Sequence, residues 1–411
     1  MALLVGGHLK TLRLAHGLGV GIVLIQHPGR FEPASVDLVE GLILADYTDW
    51  DTLGPLAEAG HRVWKFDAAL SLTEPGLVPA ARVNELLGLH GTPHEVAYRL
   101  RDKAAMRQRL HTVGVRTVAA EPLTDKASLA DFGTRFGYPF VVKPTNGTAG
   151  FGVMTVASAD DVSRVWRQVM RLRSPDQPPA AGLYLMHDFL MEEYAHGPEI
   201  SVETFSFGGR HVVVAMTEKT VDEASRTELG HAMPARLDPS VGQDVTVAVT
   251  EFLDAMELTD GPSHTEVRLD PRGPLVIESH NRVGGGLIHD LVRATYGIDL
   301  EELALAWAVG LGDEMTVPPV AQCGSAVRFV HAPPGVVTAI GDLDAVRAEP
   351  DVLTASLSVC VGDIVRPLAN NWDRLGNIAV TGADTAAAVV RCEHLASRLH
   401  PTTCPSERGL R

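Results

Sequence analysis

The hydrophobic pattern changes near Val113, and this change divides the chain into regions of different fold type. Before it, short apolar runs at residues 2–5, 21–25 and 41–44 alternate with helical patterns, which is typical of an open α/β sheet. After it, apolar and polar residues alternate over residues 199–207, as they do in antiparallel strands. A chain of 411 residues is also too long for one compact core, since domains average about 150 residues. The sequence therefore predicts a mixed α/β protein of two or three domains.

The charge balance bears on the partners that the chain can bind. The sequence has 35 lysine and arginine residues against 51 aspartate and glutamate residues, a net charge of −16. Such a chain is not expected to bind nucleic acid or an anionic membrane by non-specific attraction. The longest apolar run near the N-terminus, residues 20–25, is far shorter than the roughly 20 residues of a membrane span. The four cysteines match neither a zinc site nor a redox pair in spacing, so we expect a cytoplasmic protein with free thiols.

Two acidic residues lie on consecutive predicted strands. Glu266 belongs to the strand pattern 264–269, Glu278 follows twelve residues later, and the Asp-Pro-Arg-Gly turn 270–273 joins the two strands into a hairpin. The two carboxylates can therefore share one face, with Asn281 directly after them, and carboxylate and amide oxygens suit Mg²⁺. The alternative is an exposed hairpin with scattered acids, which spacing alone does not exclude.

A lysine precedes a glycine-rich turn in the middle of the chain. Lys143 ends an apolar strand, and the following segment 145–152 contains Gly147, Gly150 and Gly152 before extended structure resumes. Strand, flexible turn and strand predict a β-hairpin. A lysine in this place can bind a phosphate while backbone N–H groups close over it, although lysines also flank turns without any such role.

A third segment is rich in acidic residues. An apolar run ends in Glu192, Glu193 and Tyr194, and Glu199 begins the next strand after a short connection. This arrangement suits a hinge whose backbone binds an adenine edge and whose later acid binds ribose hydroxyls. As bare spacing it is unspecific.

The order of these segments, with Lys103 on a predicted helix over residues 98–110, resembles the ATP-grasp superfamily over about residues 1–310. Within it the chain looks most like the L-amino-acid ligases, because of Thr217-Glu218-Lys219, the segment 228–234 with His231, and the tail 373–382. One departure concerns the usual Asn-Pro-Arg after the second metal acid, which here is His280-Asn281-Arg282. Asn281 and Arg282 keep offsets of three and four from Glu278.

The resemblance implies an ATP-grasp architecture in four segments. These are an N-terminal Rossmann-like α/β domain with a linker helix at 1–112, a lid subdomain at 113–205, a catalytic subdomain at 206–315 and a β-rich extension at 316–411 that packs on the catalytic subdomain. A homodimer is expected from the resemblance alone.

The resemblance also implies roles for individual residues. ATP and Mg²⁺, or Mn²⁺ in its place, are the expected cofactors, and the substrates are a small carboxylate and an amine. The implied nucleotide-binding residues are Lys103, Lys143, Gly147, Gly150, Gly152, Glu192, Glu193, Tyr194 and Glu199. The implied metal ligands are Glu266, Glu278 and Asn281, and the implied catalytic residues are Arg282, His231 and Lys219. For His231 a structural role is an equal alternative, and for Lys219 a surface position is an equal alternative.

Three functions follow as hypotheses. The first is a ligase that joins two amino acids through an acyl phosphate, with release of ADP and phosphate. The second is an ATP-grasp carboxylase of the biotin-carboxylase type that uses bicarbonate. The third is a non-catalytic ATP-binding module that regulates a partner, which the full set of metal and arginine residues disfavours.

Overall fold

The computed structural model describes residues 1–174, 183, 186–222 and 225–405. Its N-terminal part is a parallel sheet with strand order β3-β2-β1-β4, flanked by helices. The elements are β1 (Ala2–Val5), α1 (Leu9–Gly17), β2 (Ile22–Gln26), β3 (Gly41–Leu44), α2 (Trp50–Trp64), β4 (Ala68–Leu70) and α3 (Leu77–Leu87). The three apolar runs of the sequence are thus β1, β2 and β3, which confirms the predicted α/β sheet.

The predicted helix over residues 98–110 is wrong as a single element. The chain forms α4 (His94–Arg101) and α5 (Lys103–Val113) instead. Asp102 between them has extended backbone angles, and its carboxylate accepts a hydrogen bond from Ala105 N at 2.9 Å. An aspartate that caps a helix in this way starts a new helix, so Lys103 lies at the first position of α5.

A smaller antiparallel sheet follows, with strand order β5-β8-β6-β7. Its elements are β5 (Ala120–Pro122), α6 (Lys126–Phe136), β6 (Phe140–Pro144), β7 (Met154–Val156), α7 (Val162–Leu172) and β8 (Phe189–Glu193). The pairing of Phe140 with Val156 confirms the predicted hairpin around the glycine-rich loop. The sequence also predicts a proline-rich surface loop at 173–179 and a strand at 184–186, and most residues of both lie outside the described part of the chain.

The largest sheet has eight strands in the order β13-β12-β9-β10-β11-β14-β18-β16. Its elements, with the helices around it, begin with β9 (Glu199–Phe207), β10 (Arg210–Val221), β11 (Glu228–Met233), α8 (Pro239–Met256), β12 (Gly261–Asp270), β13 (Gly273–His280), α9 (Ile288–Tyr296) and α10 (Leu300–Ala308). They continue with β14 (Gly324–Val330), β15 (Gly335–Ala339), α11 (Leu343–Arg347), β16 (Val352–Leu357), β17 (Ile364–Val365), β18 (Gly376–Gly382), α12 (Thr385–Leu399) and β19 (Thr402–Cys404). Short 3₁₀ helices span Pro28–Arg30, Pro33–Leu38, Glu74–Gly76, Ala159–Asp161 and Asn371–Asp373.

Two of the predicted segment boundaries, after residues 205 and 315, separate residues that belong to this one sheet. The boundary after residue 205 falls inside β9, so the large sheet begins at Glu199 rather than at residue 206. The extension from residue 316 contributes β14, β18 and β16 to the same sheet as β9 to β13. The C-terminal residues therefore continue the large sheet by hydrogen bonding as well as packing on it.

The apolar cores lie on both faces of this sheet. Helix α8 packs with Val202 and Val267 on one side, and α9 and α10 pack with Phe205 and Val327 on the other. All four cysteines are free, as expected. Among the described residues, no helix combines the length and apolar character that a membrane crossing requires.

Candidate active site

Glu266 and Glu278 lie directly opposite each other on neighbouring strands. The register of β12 and β13 pairs these two residues. The adjacent pair in the ladder is Thr265 on β12 and Ser279 on β13. Because side chains alternate along a strand, the two carboxylates share one face. The hydroxyls of Thr265 and Ser279 lie 2.8 Å apart in the buried layer. The facing arrangement expected from the spacing is therefore present.

This pair of acids lines a cavity of about 260 Å³ between the small sheet, the large sheet and the glycine-rich loop. Most of the predicted site residues line the same cavity: Lys103, Lys143, Gly147, Gly150, Glu192, Glu193, Tyr194, Glu199, Glu266, Glu278 and Arg282. Four predicted residues are not part of its wall: Gly152, Lys219, His231 and Asn281. Gly152 shapes the loop instead, since its φ is +76° and a Cβ there would lie 2.8 Å from Pro144 Cγ.

Two buried lysines extend into the cavity from different elements. Lys103 Nζ lies 3.0 Å from Glu278 Oε2 and donates a hydrogen bond of 2.9 Å to the carbonyl of Gly147. Lys143 Nζ lies 2.6 Å from Glu192 Oε2. Burial lowers the pKa of Lys143, against the attraction of Glu192. The site thus concentrates two ammonium groups beside the acids and under the glycine-rich loop.

The residues of the acidic segment at the end of β8 differ in environment: Glu192 is buried in ion pairs and Glu193 is partly exposed. Glu192 is buried and also accepts a 2.8 Å hydrogen bond from Arg107 Nε. Burial opposes ionisation of Glu192, but Arg107 and Lys143 outweigh it and lower its pKa. Glu193 is more than a third exposed, and the Tyr194 hydroxyl accepts a 2.8 Å hydrogen bond from Arg226. The Glu192 carboxylate is therefore engaged by cations, while Glu193 and Tyr194 face the cavity.

Lys219 lies beneath the cavity, among three carboxylates. Its fully buried Nζ is 3.1 Å from Glu199 Oε1 and 2.9 Å from Glu228 Oε1, and it also contacts Glu266. Burial opposes the charge of Lys219, but the three carboxylates outweigh burial and raise its pKa well above the usual value. The Lys219 side chain has no exposed surface, whereas 13–20% of each carboxylate side chain is exposed, so the carboxylates and not Lys219 reach the cavity surface.

Cationic neighbours keep the two facing acids, Glu266 and Glu278, ionised. Burial and the neighbouring Glu278 oppose a charge on Glu266, but Lys219 outweighs both and lowers the pKa of Glu266 to about 2. Burial also opposes ionisation of Glu278, and Lys103 with His280 lowers its pKa well below the usual range. Both facing carboxylates are therefore negatively charged at neutral pH.

His231 lies behind Glu228 and behind the backbone of Gly286. Its Nε2 is 3.7 Å from Glu228 Oε2, and neither ring nitrogen makes a hydrogen bond within the described chain. Burial lowers the pKa of His231 to about 4. The imidazole is therefore neutral at physiological pH.

Beyond Glu278, the structure places His280 and not Asn281 at the cavity. His280 Nε2 lies 3.2 Å from Glu278 Oε1 and Nδ1 lies 2.8 Å from Glu74 Oε1. Asn281 lines a separate cavity beside Ser71 and Trp307. An offset of two along a strand keeps a side chain on the same face and an offset of three reverses it. The expected metal ligand Asn281 is thus not brought to the two acids.

Several residues of the site were not predicted. His264 and Arg268 flank Glu266 at period-two spacing and line the cavity with it, so alternation along β12 could have found them. Burial opposes protonation of His264, but Glu203 at 2.5 Å and Glu266 together raise its pKa to about 9. Glu228 belongs to the segment 228–234 that supports the family resemblance, but the sequence analysis predicted no role for it.

The C-terminal segment closes the site from the side of the glycine-rich loop. Asn371 N donates a 3.2 Å hydrogen bond to Ala149 O, and the rings of Phe151 and Trp372 lie 5.2 Å apart. The Asn371 side chain also bonds Glu228, accepting from its N–H at 2.9 Å and donating to its carboxylate at 3.0 Å. No local signal in the sequence indicates these contacts.

Comparisons with known proteins agree with this geometry. Family models match residues 12–91 as an ATP-grasp N-terminal domain, residues 136–290 as an ATP-grasp domain and residues 328–403 as an L-amino acid ligase C-terminal domain 2. The alanine–anticapsin ligase of Bacillus subtilis (strain 168) is 27% identical over 255 residues, which cover 58% of this chain and 53% of that protein. The L-arginine-specific L-amino acid ligase of Bacillus subtilis is 24% identical over 283 residues, which cover 68% and 66%.

A solved structure extends the likeness to the whole fold. The L-amino acid ligase from Bacillus licheniformis superposes with a TM-score of 0.83 at 23% identity, covering 98% of both chains. The chain spans only about half the length of the first curated relatives that it matches, 53%.

Proposed function

This chain belongs to the ATP-grasp superfamily, and from that premise we propose that it is an ATP-dependent carboxylate–amine ligase. It joins the carboxylate of one amino acid to the amine of a second and releases ADP and phosphate. The observation that carries the proposal is the facing pair Glu266 and Glu278, with Lys103 in contact with Glu278 beneath the glycine-rich loop.

The donor set fits a divalent cation. Glu266 and Glu278 are ionised, and they offer the hard oxygen ligands that Mg²⁺ and Mn²⁺ prefer. Asn281 does not complete the set, because it faces a different cavity. Glu266 and Glu278 would hold such a cation, which would supply charge neutralisation for a nucleotide's phosphates.

The two lysines and the loop provide the nucleotide site. We assign Lys103 and Lys143 to the α- and β-phosphates, with Gly147 and Gly150 in the loop that closes over them. We assign Glu193, Tyr194 and the backbone of Glu192 to the adenine end of the cavity, whose wall they share. Glu199 is assigned to the ribose, although it shares its carboxylate with Lys219 and with Arg268 at 2.8 Å.

The reaction needs little covalent chemistry from the protein. A carboxylate oxygen attacks the γ-phosphorus and the bond to the β-phosphate oxygen breaks, which gives an acyl phosphate and ADP. The amine then attacks the acyl carbon, phosphate leaves and the amine loses a proton. Arg282 is placed to stabilise the transferred phosphoryl group and the tetrahedral oxyanion, since a guanidinium matches planar oxygen pairs.

His231 and Lys219 take supporting roles in this scheme. His231 is neutral, fully buried behind Glu228 and absent from the cavity wall, so we assign it to supporting Glu228 without contact to the substrate. Lys219 positions the three carboxylates without touching the substrate. The names of two relatives, an alanine–anticapsin ligase and an L-arginine-specific L-amino acid ligase, include the amino acids alanine and arginine, and this supports amino acids as the substrate class.

A matrix of amino-acid pairs with Mg-ATP tests the proposal, read by phosphate release and product mass. We expect phosphate release that depends on both amino acids, together with a product of the mass of the condensed pair. A parallel set with bicarbonate in place of the amine tests the carboxylase alternative. Bicarbonate-dependent turnover without an amino-acid requirement would contradict the ligase, and ATP binding with no turnover for any pair would favour a regulatory module.

A further inference from the structure

Arg374 comes from the C-terminal segment, yet its side chain lines the active-site cavity. Only 17% of the side chain is exposed. Its Nε donates a 2.8 Å hydrogen bond to Asn371 O, and its guanidinium lies 3.7 Å from the centre of the Phe329 ring. These two contacts hold the guanidinium in one orientation before any substrate arrives.

The guanidinium has hydrogen-bonding capacity to spare. Nη1 is buried and donates no hydrogen bond within the described chain, and its distance to Glu228 Oε2 is 3.6 Å, too long for one. Glu228 is meanwhile engaged at closer range by Lys219 and Asn371. A buried donor of this kind is costly unless a ligand satisfies it. A carboxylate fits best, because its two oxygens match the fork of the guanidinium.

The position of Arg374 separates it from the phosphoryl-transfer end of the site. Glu278 is on the edge strand β13, Glu228 is on β11 four strands away, and Arg374 precedes β18 two strands further on. The side chains converge over the sheet, since Arg374 Nη1 lies 3.6 Å from Glu228 and the oxygens of Glu228 and Glu266 lie within 4.8 Å of each other. Arg374 therefore lies on the far side of Glu228 from the facing pair Glu266 and Glu278. The carboxylate that attacks ATP must lie near Glu278 and Arg282, and a second carboxylate is needed to occupy Arg374.

We propose that Arg374 binds the carboxylate of the amine substrate, and this inference rests on the ligase function proposed above. The first amino acid loses its carboxylate charge when it becomes an acyl phosphate, whereas the attacking amino acid keeps its own. Held at Arg374, that carboxylate directs the amine toward the acyl carbon. The enzyme therefore selects α-amino acids over amines that lack the carboxylate.

The test compares two nucleophiles of one productive pair, the free amino acid and its carboxamide, in the full-length enzyme with Mg-ATP. In the unmodified enzyme we expect the KM for the amino acid to be about ten- to a hundredfold lower than that for the amide, the range of one charge-assisted pair. Arg374→Gln should raise the KM for the amino acid by a similar factor, with little change for the amide. Arg374→Lys should restore part of the preference.

Controls keep a folding defect apart from a lost contact. Arg366→Gln removes an exposed arginine of the same segment and should leave both KM values unchanged. If Arg374→Gln raised both KM values equally, or lowered kcat alone, the residue would be structural and the inference wrong. If Arg374→Gln failed to fold, the test would rest on Arg374→Lys and on the ratio of its KM for the amide to its KM for the amino acid. A ratio equal to that of the unmodified enzyme would overturn the inference. Failure of every pair to give amine-dependent phosphate release in the unmodified enzyme would instead refute the ligase function itself, and the inference with it.

Discussion

Arg282, just after the β12–β13 hairpin, forms a largely buried ion pair with Glu74, which comes 208 residues earlier in the chain. Glu74 also lies 2.8 Å from His280 and 3.3 Å from Arg101. Burial opposes its ionisation, but Arg282, His280 and Arg101 outweigh burial and lower the pKa of Glu74 well below the usual range. One carboxylate of the N-terminal region therefore fixes the arginine that we assign to phosphoryl transfer.

Glu74→Gln tests this linkage. The variant leaves Arg282 and Arg101 without their shared anion, and loss of one partner of a buried pair costs about 3 kcal/mol or more. We expect the free energy of unfolding to fall by that amount in urea titrations and kcat to fall at least tenfold. Glu58→Gln, an exposed glutamate on α2, is the control. Unchanged stability and unchanged kcat in Glu74→Gln would show that Arg282 is positioned by other contacts.

The metal assignment predicts different outcomes for Glu278 and Asn281. Glu278→Gln removes one of the facing carboxylates and should reduce turnover at least a hundredfold, with a much smaller effect on nucleotide affinity. Asn281→Ala should leave the Mg²⁺ concentration for half-maximal turnover unchanged, because its side chain faces another cavity. Titration of turnover with Mg²⁺ measures both. A raised Mg²⁺ requirement in Asn281→Ala would mean that this side chain does reach the metal.

The cluster around Lys219 predicts a stability effect. In Lys219→Met, three carboxylates whose oxygens lie within 4.8 Å of one another lose their common cation. Breaking a buried ion pair in this way costs about 3–5 kcal/mol, and we expect a loss of this size in chemical unfolding at pH 7. Lys126→Met, at an exposed position, serves as the control. Equal stability of the two variants would refute the role assigned to Lys219.

His231 predicts a pH dependence of stability with a definite sign. Its pKa is about 4 in the folded protein, against a reference value of 6.5, so the unfolded chain takes up the proton first as the pH falls. Stability is therefore lost between pH 6.5 and pH 4, by about 3 kcal/mol from this group. Replacement by glutamine should remove that part of the pH dependence, and His16→Gln, at an exposed histidine, should not. Parallel curves for the unmodified enzyme and His231→Gln would contradict the buried, neutral imidazole.

The local sequence pattern was sufficient to predict much of the fold and the two facing acids at the centre of the site. The runs that form β1, β2 and β3, the hairpin around the glycine-rich loop, and the facing of Glu266 and Glu278 all depend on short-range periodicity and turn residues. The helix break at Asp102 was missed, because an aspartate inside a helical pattern indicates a new start only when its side chain caps the following turn. Asn281 was predicted as a metal ligand because its amide oxygen directly follows the second acidic strand, although alternation along β13 favours His280.

The sequence alone determined which chemical groups were available and which of them share a strand face, since both follow from residue order and the period of two. Only the tertiary structure decided which of those groups meet across the chain. Glu74 meets Arg282, Lys219 is enclosed beneath three carboxylates, and Arg374 reaches the cavity beside Glu228. Such contacts depend on the packing of elements that are up to about two hundred residues apart, and burial then sets the charge of each group. Neither the packing nor the burial can be read from neighbouring residues.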